Sequence, residues 1–161
     1  MLKVQPESLA GRVEQLVKEN KKLSKDIKSA ARQAGTDAGT EAKQLLEKCE
    51  KIGETSVVIG RLSSASVEQA REAIDMLKKK AKSAVVVFGF DDAGKAVLLA
   101  GVTDDLVKKG LSAVDVVRQI SPIVDGGGGG RPQMAQAGGK NPEKIDQALA
   151  DSAEFIKQKL R

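Results

Sequence analysis

Histidine, tryptophan and tyrosine are absent from this sequence, and cysteine occurs once, as Cys49. Without histidine there can be no Ser-His or Cys-His nucleophilic pair, and no zinc site built on histidine or on several cysteines. Carboxylates remain, as the pairs Asp91-Asp92 and Asp104-Asp105. Each pair stands at a turn or a helix start, where carboxylates accept backbone N–H groups. A carboxylate-only site stays open in principle, but capping or a turn is the favoured role for these pairs, and no metal or cofactor is expected. One cysteine also excludes an internal disulfide and points to a reducing compartment, the cytoplasm or an organelle's reducing interior. Cys49 falls on an apolar helical stripe, which predicts a buried structural thiol. The aromatics are Phe88, Phe90 and Phe155 only, so the core must be aliphatic, and an aromatic platform for single-stranded nucleic acid is excluded. No long hydrophobic run marks a signal peptide or a membrane span, so no membrane partner is expected.

What the chain does contain is charge and glycine. Charged residues make up 30% and hydrophobic ones 40% of 161 residues, a globular balance with room for one domain and an extension. The net charge is +5, divided as +3 over residues 1–53 and +2 over residues 54–161. That bias fits a polyanion partner without demanding one.

Residues 6–34 carry a heptad. Leu9, Leu16, Leu23 and Ala30 take d positions, and Val13, Asn20, Ile27 and Ala34 take a positions. Leu at d, β-branched residues at a and one polar Asn at a form the pattern of a two-stranded coiled coil. After the break QAGTDAGT, a second helix is predicted from Glu41 to Ile52 with Ala42, Leu45, Leu46, Cys49 and Ile52 on one stripe. It can fold back on the first helix as an αα-hairpin, or leave that helix to pair with another chain. Its shorter length favours pairing between chains. Residues 1–53 are thus expected to form a helical arm, and residues 54–161 an α/β domain.

In that domain the hydrophobic period changes. SVVIGRL (56–62) predicts a strand, Ser66–Lys82 a helix, and the apolar run SAVVVFGF (83–90) a strand buried on both faces. DDAG (91–94) is a hairpin turn and KAVLLAGVT (95–103) the return strand. Short helices follow at Asp104–Lys109 and, with Ser112 as N-cap, at Ser112–Val124, kinked if it passes Pro122. QMAQAG (133–138) is a final strand, and 141–160 a closing helix capped by Asn141, with Ile145, Leu149, Ser152, Ala153 and Ile156 inward. The fold class is α/β, a mixed parallel and antiparallel sheet with flanking helices, preceded by a coiled-coil arm.

Between those last elements lies DGGGGGRPQMAQAGG (125–139). Five consecutive glycines are costly to order. A phosphate loop of the GxxxxGK[ST] type needs Lys-Ser or Lys-Thr where Arg131-Pro132 stands, and GxGxxG needs a helix that Pro132 blocks. A plain linker is disfavoured by the ordered flanks. The prediction is an ordered glycine loop. Either its backbone N–H groups approach an anion or a flat nucleic-acid surface, with Arg131 at the rim, or it packs tightly on the sheet.

GGGGGRPQMAQAGGKNPEKIDQAL resembles the motif of the C-terminal domain of alanyl-tRNA synthetases, usually GGGGGRPDMAQAGG. VTDDLVKKGLSAVDVVRQISPIVDG, VVVFGFDDAGKAVLLAGV and the heptad helix RVEQLVKENKKL resemble the same family, so the likeness spans nearly the whole chain. Gln133 departs from the usual Asp and removes a negative charge beside Arg131. The glycine motif is shared more loosely with the accessory DHHA1 domain of DHH-type phosphoesterases. The resemblance implies a non-catalytic tRNA-binding domain that grips the outer corner, or elbow, of alanine tRNA and helps link aminoacylation with editing. Its arm can dimerise the protein through Leu9, Val13, Leu16, Asn20, Leu23 and Ile27. Carried onto this chain, Gly126, Gly127, Gly128, Gly129 and Gly130 would let tRNA approach the backbone. Arg131 would contact a phosphate or stack, Met134 would offer a stacking surface, and Lys108, Lys109 and Lys140 would contact phosphates. The rival expectations are an oligomerisation module without RNA affinity and a domain repurposed for other RNA or DNA.

Overall fold

The apolar run over 83–90 becomes an interior strand, because both of its faces are covered by helices. The computed structural model describes residues 15, 17–19, 38–63 and 65–161. The chain divides into two units, Met1–Thr36 and Asp37–Arg161. In the first, residues 15 and 17–19 are helical. Heptad positions Leu9, Val13, Leu16, Asn20, Leu23, Ile27, Ala30 and Ala34 lie outside the described residues, so the pairing of the arm does too.

The second unit runs α1 (Ala38–Glu47), β1 (Glu50–Ile52), β2 (Thr55–Arg61), α2 (Val67–Lys80), β3 (Ala84–Asp92), β4 (Lys95–Val102), α3 (Asp104–Lys108) and α4 (Ala113–Ile120). A 3₁₀ turn (Ser121–Val124), β5 (Gly126–Arg131), β6 (Met134–Gly139), a second 3₁₀ turn (Pro142–Lys144) and α5 (Ile145–Leu160) complete it. The six strands form one sheet in the order β1-β2-β3-β4-β6-β5. β2 and β3 are parallel, as expected of a strand–helix–strand unit, and every other pair is antiparallel.

Local chemistry accounts for the boundaries. Ser66 and Gln69 close a capping box on α2, each side chain bonding the other's backbone N–H. Ala93 and Gly94 both have positive φ, 53° and 79°, and make a two-residue hairpin turn, with the Gly94 N–H donating to Asp91 Oδ1 at 2.7 Å. The turn is therefore tighter than DDAG, and Asp92 still pairs with Lys95. Ser112 caps α4, which passes into the 3₁₀ turn where Pro122 removes an N–H.

Three expectations are corrected. The helix predicted from Glu41 to Ile52 stops at Glu47, and residues Glu50–Ile52 are a strand paired with β2. Gly53, at φ 62°, supplies the turn between them. The β1–β2 hairpin spans residue 53, and the compact unit begins at Asp37. Cys49 consequently lies beyond the helix and is half-buried beside the core. Asn141 makes no side-chain cap; its amide donates to the Asp125 carboxylate instead. An amide nitrogen beside a carboxylate makes a charge-assisted bond, the stronger option.

Two apolar layers flank the sheet. On one face Val85, Val87, Leu98 and Ala100 meet Val116, Val117 and Ile120 of α4 and Ile145, Leu149 and Ile156 of α5. On the other, Val58, Val86, Phe88 and Leu99 meet Ala42 of α1 and Ala70, Ile74 and Leu77 of α2. Each large aliphatic buried here contributes about 1.5–3 kcal/mol. A Cβ on Gly101 would lie 2.2 Å from Ile74 Cγ2, so glycine there seats α2 close against β4. α1 and α2 pack on β2, β3 and β4, while β6 and β5 extend beyond them on that face.

Candidate nucleic-acid interface

The glycine run is a strand, not a loop. β5 pairs antiparallel with β6 over its whole length, Gly126 opposite Gly139 and Arg131 opposite Met134. It stands at the edge of the sheet. The turn is anchored twice: the Ala113 N–H donates to the Pro132 carbonyl at 2.8 Å, and the Val102 N–H to the Gln133 carbonyl at 3.0 Å.

The five glycines alternate in role. A Cβ on Gly126 would lie 2.0 Å from the Gly138 carbonyl oxygen, one on Gly128 2.1 Å from that of Gln136, and one on Gly130 2.5 Å from that of Met134. No side chain fits at these positions. A Cβ on Gly127 or Gly129 would meet nothing within 4 Å, and the same holds for Gly138, which lies opposite Gly127. Directly paired residues share a face. Gly127, Gly129 and Gly138 therefore lie on the face of Gln136, whose side chain accepts from Arg71 of α2. One set of glycines thus packs on β6, as one of the alternatives left open by the sequence has it, and the other leaves a bare peptide surface. The outer edge of β5 adds unpaired backbone groups to that surface.

The predicted contacts divide between the two ends of this strand, which are about 17 Å apart at the usual rise. Arg131 is exposed at one end. Lys108 ends α3 and Lys109 caps it, both exposed at the same end of the sheet as Arg131, since α3 follows the Val102 end of β4. They follow an interior strand rather than the sheet edge. Lys140 is exposed at the opposite end, beside Gly139. There a cleft of about 510 Å³ has Gly126, Gly127, Gly138 and Gly139 in its lining, with Lys95 and Lys140 as its cations and Asp92 and Asp125 as its anions. Met134 is half-buried and packs against the core on the α2 side.

Two residues near the glycine face escaped the sequence reading, Arg71 and Lys78. Both reach from α2 to β6, Arg71 to the Gln136 side chain and Lys78 Nζ to the Gln133 carbonyl at 3.2 Å. The run Lys78-Lys79-Lys80-Ala81-Lys82 was a visible signal, but cations in a last helical turn are usual partners of the helix dipole. The acidic pairs serve as expected: Asp91 holds the hairpin turn, and Asp104 and Asp105 open α3. Slight burial of Asp105 opposes its ionisation, but hydrogen bonds from Ser83, Thr103 and the Leu106 backbone outweigh this and hold its carboxyl below the usual value. Among the described residues no three ligating side chains are grouped to hold a metal, and no helix is long and apolar enough to cross a membrane.

The comparisons with known proteins agree with this architecture. The DHHA1 domain model matches residues 54–158. Alanine–tRNA ligase of Bacillus velezensis is 38% identical over 159 residues, 99% of this chain and 18% of that protein. The Bacillus pumilus enzyme is 45% identical over 120 residues, 74% of this chain and 14% of that protein. The chain therefore spans under a fifth of the length of these relatives. The crystal structure of the C-Ala domain from Aquifex aeolicus alanyl-tRNA synthetase superposes with a TM-score of 0.59 at 30% identity, covering 70% of this chain and 96% of that one. In sequence and in fold, the chain belongs to the DHHA1 domain family, as a domain of the C-Ala type of alanyl-tRNA synthetases.

Proposed function

We propose that this chain is a non-catalytic tRNA-binding domain, and that it engages the outer corner of tRNA through the bare face of β5 and β6. The observation that carries this reading is the alternation of the glycines. Gly127, Gly129 and Gly138 have open space where side chains would stand, so a base pair or ribose surface can lie directly on the peptide planes. Arg131 supplies a guanidinium at one end of that face for phosphate contact or stacking, and Lys140 a cation at the other. Structured RNA is read largely through shape and backbone, which suits a surface without side chains. In a full synthetase such a grip would help bring the aminoacylation and editing centres onto one tRNA, and the heptad arm would provide a homodimer contact.

The test is a titration against full-length alanine tRNA and against an acceptor-stem minihelix lacking the corner, each at two salt concentrations. Tight, salt-sensitive binding to the full tRNA alone supports the reading. Equal binding to both reduces it to general electrostatics, and no binding to either leaves oligomerisation as the role.

A further inference from the structure

We propose that the C-terminal turn of α2 is a second phosphate-binding site, in which Lys79 and Lys82 hold the RNA backbone as it leaves the Arg131 end of the glycine face. This rests on the tRNA-binding reading above and adds a direction to it.

The placement follows from register. α2 runs antiparallel to β6, with Arg71 bonded to Gln136 and Lys78 to Gln133. Seven helical residues rise about 10.5 Å and three strand residues about 10 Å, so the helix keeps step with the strand. Its last turn therefore arrives at the Pro132-Gln133 turn, next to Arg131. Lys78 is committed there: it is half-buried, its stem passes over Gly101, and its ammonium holds the Gln133 carbonyl. Lys79 and Lys82 are exposed and form no ion pair among the described residues. With Lys78 they line an open cleft of about 430 Å³. Asp75, Asp104 and Asp105 also line it, yet among the described residues none lies within ion-pair distance of a lysine, and Asp105 is engaged by Ser83 and Thr103.

Charge also differs between the two ends of the sheet. The Arg131 end carries the cations Lys78, Lys79, Lys82, Lys108, Lys109 and Arg131, against Asp75, Asp104 and Asp105. The opposite end sets Lys95, Lys140 and Lys144 against Asp91, Asp92 and Asp125. The helix dipole accounts for a cation in the last turn of α2. It does not account for Lys82, which lies beyond the helix. A polyanion lying on the glycine face is thus drawn toward the α2 end.

The test compares Lys79→Ala/Lys82→Ala with Lys43→Ala/Lys51→Ala, a pair of equal charge loss on α1 and β1, toward the sheet edge opposite β5. Affinity for full-length alanine tRNA is measured across a salt series, and a thermal melt checks folding. The expected result is about tenfold weaker binding for the first pair, with the slope of log K against log salt shallower by about 1.5, and little change for the second. Equal effects of the two pairs, or no effect of the first, would overturn the proposal. If the first pair is silent while Gly127→Ala/Gly129→Ala weakens binding, only this site is lost. If the unmodified chain does not bind tRNA, the underlying reading fails.

Discussion

Gly128 lies so close to Gln136 across the β5–β6 ladder that a methyl on it would stand 2.1 Å from the Gln136 carbonyl oxygen. Its neighbours Gly127 and Gly129 have nothing within 4 Å of the same position. Gly128→Ala should therefore destabilise the fold by at least about 1–3 kcal/mol, the usual penalty for overpacking. Gly127→Ala and Gly129→Ala should melt within a few degrees of the unmodified chain but bind tRNA more weakly, since each methyl lifts the RNA off the peptide plane. Thermal melts paired with tRNA titrations check both halves, and an unstable Gly127→Ala protein would contradict the alternation.

Arg131 is exposed and forms no ion pair among the described residues. Arg131→Ala should leave stability within about 0.5 kcal/mol. If Arg131 neutralises one phosphate, the salt slope of tRNA binding should fall by about 0.7–0.9. Unchanged affinity and slope would remove Arg131 from the interface.

Asp125 adopts a left-handed backbone conformation, φ 50°, and accepts from the Asn141 side chain. Asp tolerates that region better than most residues. Asp125→Ala loses this tolerance and the hydrogen bond, and should cost about 1–2 kcal/mol by denaturant titration. Asp125→Gly should cost less, because glycine relieves the backbone.

Slight desolvation raises the carboxyl of Asp105 in the folded chain, but bonds from Ser83, Thr103 and the Leu106 backbone outweigh it and hold the group below its usual value. A depressed folded value stabilises the native state above the unfolded value and is lost as pH falls through the folded one. Stability should accordingly drop in acid below about pH 4. In Asp105→Asn the contribution should be missing at neutral pH, and the acid slope should be shallower. Denaturation midpoints from pH 7 to pH 2.5 would measure it, and an unchanged slope would discard the assignment.

Asn20 occupies an a position of the heptad. If the arm pairs between chains, Asn20→Val should shift the oligomeric state or raise the stability of the dimer. Sedimentation equilibrium tests this, and tRNA affinity per chain should not change.

Much of the α/β unit was legible in the sequence, because its elements carry strong local signals. The run 83–90 is apolar throughout, the segment 66–82 carries a helical period, and DDAG separates the run from its return strand. The family motif was legible for the same reason: Gly-Arg-Pro followed by Met-Ala-Gln is a contiguous string. The end of α1 was not legible. Cys49 and Ile52 continue a helical spacing, while the pairing that makes 50–52 a strand comes from β2. The glycine strand was hidden for a related reason, since poly-glycine has no strand propensity and no alternation to betray it.

By itself, the sequence determined the chemistry available to this protein. It has no histidine, one cysteine and few aromatics, so it can recognise through peptide groups, guanidinium and ammonium but has no nucleophile–histidine pair for catalysis. It also determined the order of β2, α2, β3, β4, α3, α4, β6 and α5, because periodicity and capping act within a few residues. Only the tertiary structure decided which glycines are structural and which are free, because that depends on the distance to the backbone of β6. It likewise decided that Lys140 and Arg131 stand at opposite ends of one strand and that α2 brings its lysines to the Arg131 end. Those relations arise from strand pairing and helix packing between segments far apart in the chain.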